Sequence, residues 1–219
     1  MEKLVNLEIY SPLELILFTL CCLLWAVVYI IVIVNIHKHK VIEIPVAAVC
    51  ANVAWELWWG WGYHTNMGVL FQWGYRIWFF LDVYIVYCVF KYGNKQVLSD
   101  PLKKYYTPAV VMGLLFWIIA LYFLIPEHDT DKFGAFSGYI LSVYMGTLYC
   151  FQIVKQPGFG ISYVNAWLKM IGTGACSVMC YIHFWKIPGF NSLLSLCAIT
   201  LFLDCLYIYL VYKRPKFYS

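Results

Sequence analysis

A chain of 219 residues, 63% of them apolar and 12% charged, carries more apolar surface than a soluble core can bury, and its mean hydropathy of +0.75 says the same. The formal charge of +4 is modest and collects at one end of the apolar runs, so it reads as membrane topology and excludes a nucleic-acid partner. At ~20 residues per spanning helix the length allows about seven spans and leaves nothing over for another domain.

Seven apolar runs are present, at approximately 13–36, 42–60, 74–90, 107–125, 133–154, 164–185 and 193–212. Turn chemistry separates them at 37–40, 66–73, 93–104, 126–132, 156–160 and 186–191. The breaks are short, so consecutive helices are expected to run antiparallel. Residues 1–219 are therefore read as a single all-α domain, a polytopic bundle of seven transmembrane helices. The first run follows acidic residues and is too long for a signal-peptide core, which makes it a retained helix.

Lys38, Lys40, Lys91, Lys95, Lys103, Lys104, Lys155, Lys213, Arg214 and Lys216 fall on one side of this bundle, and Lys3, Arg76, Lys132 and Lys186 on the other. Ten against four places the C-terminus in the cytoplasm and, with an odd number of spans, the N-terminus outside or lumenal. Glu2, Glu8, Glu14, Glu127, Asp129 and Asp131 collect on that outer side. Ten Trp, 19 Tyr and 15 Phe exceed what interfacial belts use, so aromatic rings are also expected to line an interior. The nine cysteines have no metal-ligand spacing and read as small packing residues.

Three carboxylates interrupt the apolar runs: Glu56 in the second, Asp82 in the third and Asp204 in the seventh. A charge near mid-bilayer costs at least ~2.5–3.5 kcal/mol on insertion scales, so each is expected to face the bundle interior and to mark a functional site, or else to serve as a structural hydrogen-bonding group. Asn52 lies one turn before Glu56 on the same face, with Trp55 and Trp59 close by. A carboxyl beside indoles is poorly solvated, which favours its neutral form and equips it to donate a proton. Thr200 and Tyr207 flank Asp204 by about a turn on either side, forming a polar line that should face inward. Trp78 precedes Asp82 by one turn; Arg76, near the outer end of the same helix, is read as a headgroup anchor or as the partner of a carboxylate elsewhere. His183 is expected at the interface, and Gly172-Thr173-Gly174-Ala175 at a close helix contact.

Several chemistries are disfavoured. The seventh run has no Schiff-base lysine, no aspartate-rich cluster is present to hold magnesium and a diphosphate, and neither HExxH nor a Cys/His ligand set appears. No metal or other cofactor is expected. Metal-free acid chemistry stays open.

The size, the Trp55-Glu56 segment with its aromatic surroundings, the Arg76-Ile77-Trp78 and Leu81-Asp82-Val83 segments and Asp204 together resemble the small seven-helix membrane terpene cyclases of fungal meroterpenoid and indole-diterpene pathways and their bacterial relatives. The resemblance implies that Glu56 and Asp204 are the essential acidic pair, with Asp82 in a supporting place. It also implies a hydrophobic partner, a farnesyl- or geranylgeranyl-bearing compound, cyclised by protonation of a terminal epoxide or alkene. Membrane lipid is the other partner. A proton-coupled small-solute transporter would use the same carboxylates, but no three-helix repeat is visible, and Gln156-Pro157 reverses the Pro-Gln order of sugar carriers. In a third reading, a non-enzymatic accessory protein, changes at the three carboxylates alter only folding or association.

Overall fold

The computed structural model describes residues 3–156 and 162–214. The elements are α1 (Pro12–His39), α2 (Val46–Leu57), α3 (Val69–Tyr92), α4 (Lys103–His128), α5 (Ala135–Lys155), α6 (Tyr163–Phe184) and α7 (Asn191–Lys213), with no strand among the described residues. Five of the seven helices are long and apolar enough to cross a membrane. Helices suit this environment because each satisfies its own backbone where no water can.

The boundaries have local causes. Ser11 and Glu14 form a capping box at the start of α1, with Pro12 at the first helical position. Gly68 (φ 118°) precedes α3, which begins earlier than the hydropathy run because Gln72 and Trp73 are helical despite their polarity. Pro126 was expected to begin a break, yet α4 continues to His128. A proline there leaves the Tyr122 carbonyl without its helical donor, and the Tyr63 hydroxyl donates to it instead at 3.2 Å. Gln156 caps α5; the rest of the expected 156–160 break lies outside the described residues, as does Lys216.

The closest pairs are α1 with α6, α5 with α7 and α6 with α7, while α2 sits among α3, α4 and α5. Gly172 permits the first of these: a Cβ there would stand 3.2 Å from Leu24 and 3.3 Å from Trp25, whereas Gly174 faces open space. At the end of the α1–α6 contact where α1 begins, His183 Nδ1 lies 2.8 Å from Glu14 Oε1 and its ring stacks on Tyr10 at 4.9 Å. The expected interfacial histidine is thus a clamp between two helices.

Candidate active site

Five helices surround a central cavity of about 110 Å³. Its walls are aromatic: Trp25 from α1, Trp55 from α2, Trp78 from α3 and Tyr139 from α5, with Phe18 and Phe133 toward the end where α1 and α5 begin. Glu56, Asn52 and Tyr29 supply the polar groups at the other end.

The Tyr29 hydroxyl organises them. It lies 3.1 Å from Glu56 Oε1 and 3.5 Å from Asp82 Oδ2, and it accepts from Asn52 Nδ2 at 3.1 Å. All four residues are buried. The Glu56 and Asp82 carboxyls flank the same Tyr29 hydroxyl, and neither Glu56 Oε2 nor Asp82 Oδ1 has a hydrogen-bond partner among the described residues. One hydroxyl has a single proton to donate, so two carboxyls gathered around it leave acceptor oxygens that only a further proton could pair.

The walls are held from behind. Trp55 Nε1 donates to Ser137 Oγ at 2.7 Å, and Asp129 accepts from the Ser137 amide at 2.7 Å and from its hydroxyl. Asp131 caps α5, accepting from the amides of Phe133, Ala135 and Phe136 at 2.9–3.1 Å. Trp78 Nε1 donates to the Cys22 carbonyl at 3.3 Å. Burial pushes the Asp129 carboxyl, in the turn between α4 and α5, up to about 7, helped by the neighbouring charge of Asp131. A carboxyl raised in the folded state stabilises the fold fully at acid pH, and this contribution is lost as pH rises from about 4 through about 7. Up to about 4 kcal/mol is at stake by linkage. The unfolding midpoint is therefore expected to fall between pH 5 and 8, and less steeply in Asp129→Asn. Half-buried Glu43, in the turn between α1 and α2, moves the same way, so the difference between the two slopes is the quantity to measure.

Of the residues singled out by sequence, Glu56, Asn52, Trp55 and Trp78 line the cavity, and Asp82 adjoins it through Tyr29 and Glu56. Trp59 stands behind Trp55 and Tyr75, with ring centroids 6.4 and 6.0 Å away. Arg76 lies outside: a π-helical turn at Trp58–Gly62 ends α2, and Arg76 Nε donates to the freed Gly60 carbonyl at 2.9 Å while its guanidinium sits over Trp73 at 4.8 Å. Thr200, Asp204 and Tyr207 are buried as a line on α7, but none lines the cavity; the Tyr207 ring packs tilted against Tyr149 at 4.9 Å and Asp204 pairs with Lys169 of α6.

Tyr29 and Lys169 went unrecognised in the sequence. Tyr29 is one of 19 tyrosines and sits in a run that reads as uniformly apolar. Lys169 carried a usable signal, a lysine inside the sixth run, by the same cost argument that marks the carboxylates.

Residues 7–215 match the family model of the Pyr4-like transmembrane terpene cyclases. Among curated proteins, the chain is 21% identical over 169 residues to the Pyr4-family terpene cyclase mfmH of Annulohypoxylon moriforme, covering 76% of this chain and 69% of that protein. It is 23% identical over 170 residues to the terpene cyclase macJ of Penicillium terrestre, with 74% and 65% covered. It is 24% identical over 185 residues to the terpene cyclase spyD of Aspergillus fumigatus, with 81% and 76% covered. No solved structure matches the chain.

Proposed function

We propose, from the premise that this chain belongs to the Pyr4-like transmembrane terpene cyclase family, that it cyclises a farnesyl- or geranylgeranyl-bearing substrate by acid-initiated, metal-independent chemistry. One observation carries the reading: the Glu56 and Asp82 carboxyls gather around the Tyr29 hydroxyl at the polar end of an aromatic cavity, each with an oxygen that has no hydrogen-bond partner among the described residues.

Like charges in contact in a low dielectric do not both form, so one proton is held between the two carboxyls. Glu56, the member that lines the cavity, delivers it to a terminal epoxide oxygen or alkene carbon. Protonation opens the C–O bond, or adds to the double bond, and leaves a tertiary cation. The π electrons of the next alkene then form a C–C bond, and the cation moves one unit along. Trp25, Trp55, Trp78 and Tyr139 present faces that stabilise such a cation by ~0.5–2 kcal/mol each and offer no nucleophile. Loss of a proton, or capture by a substrate hydroxyl or ring carbon, ends the sequence and returns a proton to the site, so the product is an isomer of the substrate. Asn52 and Tyr29 hold the pair in register by hydrogen bonds. With the C-terminus cytoplasmic, the end of the cavity at Phe18 and Phe133 faces outside or lumen.

Membranes bearing the chain are to be incubated with farnesylated and geranylgeranylated aromatic compounds, with and without a terminal epoxide. A cyclised product of unchanged mass, identified by mass spectrometry and NMR, is expected. No conversion across that panel would overturn the reading.

A further inference from the structure

We propose that Asp204 serves the reaction indirectly: its carboxylate neutralises the buried Lys169 ammonium, which stands beside the cavity wall, and does not itself meet the substrate. The inference rests on the cyclase reading above.

Helix α7 contributes no residue to the cavity lining, and Asp204 points to α6. Its Oδ1 pairs with Lys169 Nζ, and the two side chains are 4% and 2% exposed. The Lys169 ammonium lies over the Trp25 ring, 5.9 Å from its centroid. Trp25 is part of the cavity wall, as is Thr173, which follows Lys169 by one helical turn and accepts from Trp25 Nε1 at 3.2 Å. Helix α6 thus grips one indole twice, by its N–H and by its π system. Trp25 in turn packs on Tyr29 at 5.7 Å, the residue that binds Glu56.

The sign of the electrostatics makes the pair matter. A ring face stabilises a cation through its negative quadrupole, and an ammonium on the same π system competes for it. An uncompensated positive charge near the wall also opposes the carbocation directly, with little water to screen it. Paired with Asp204, the ammonium has its charge cancelled, and the indole is held by Thr173. Broken, the pair leaves a buried charge, which is costly to the fold as well as to the transition state. A direct base at Asp204 would need contact with the cavity that the geometry does not supply.

Asp204→Asn, Lys169→Met and the double variant complete a cycle, each measured in detergent for its unfolding midpoint and for kcat and KM on the farnesylated epoxide that the wild type converts. Asp204→Asn is expected to lower kcat by at least about tenfold, with KM little moved, and to lower the midpoint. Adding Lys169→Met removes the stranded ammonium and replaces it with an unbranched apolar chain. The double variant, in which Thr173 still holds the Trp25 N–H, is expected to recover the wild-type midpoint and to return kcat to within about threefold of wild type. A double variant that folds like wild type yet stays as inactive as Asp204→Asn would overturn the proposal and make Asp204 a proton acceptor. Failure of the midpoint to recover would overturn it as well. A wild type that converts no substrate is a different result, since it removes the cyclase reading itself.

Discussion

Glu56→Gln is expected to abolish cyclisation, with a rate loss of about 10²- to 10⁴-fold, the usual contribution of a positioned general acid, while the protein stays folded. The substitution keeps the shape of the side chain and the acceptor that faces the Tyr29 hydroxyl at 3.1 Å. Its new NH₂ has a ready partner, because the adjoining Asp82 has an oxygen without a donor. An amide beside a carboxylate is better satisfied than two carboxyls, so the unfolding midpoint should stay level or rise. What is lost is the transferable proton. Product formation per folded molecule, with the midpoint measured alongside, checks both halves. A variant that cyclises at the wild-type rate would move the acid elsewhere in the cluster, to Asp82.

Gly134→Val is expected to have the largest effect on stability, a loss of about 2–4 kcal/mol. Gly134 has φ +81°, in the left-handed region that a β-branched residue strongly resists. Even a Cβ would stand 2.6 Å from the Trp59 ring and 2.9 Å from Trp55. Neither indole can step aside freely, since Trp59 is wedged against Tyr63 and Tyr75 and Trp55 is tied to Ser137 at 2.7 Å. Relief would push Trp55 into the cavity, so the variant should also raise KM or redistribute products. Gly174→Ala is the matching control. Nothing lies within 4 Å of a Cβ there, and exchanging glycine for alanine in a helix should stabilise by about 0.5–1 kcal/mol. Thermal unfolding of the two variants side by side separates a general intolerance of these helices from the specific clash at Gly134.

Much of this architecture is legible before any coordinates. Hydropathy marks seven helices because lipid offers the backbone no partner, and a helix satisfies its backbone polar groups within itself. The cost of a charge in an apolar run selects Glu56, Asp82 and Asp204, and all three are buried. Helical spacing puts Asn52 with Glu56, and both meet Tyr29. Such readings succeed because they depend on one helix at a time.

Whatever depends on two helices was decided by packing. That Glu56 and Asp82 come together, bridged by a tyrosine of α1, follows from how α1, α2 and α3 face one another, and periodicity within one helix leaves that facing undetermined. The same limit applies to Asp204: sequence marks it as inward-facing, but only the close packing of α6 on α7 shows that inward means Lys169 and not the cavity. Pro126 shows the limit at the level of a single bond, since a distant tyrosine hydroxyl supplies the donor that lets α4 run past it. The sequence by itself determined the solvent, the number of helices and which residues are too costly to bury without purpose, all of them one-body free energies. The tertiary structure decided which of those residues share a proton, which share a charge and which rings surround them, because those are pairwise energies that exist only once the helices touch.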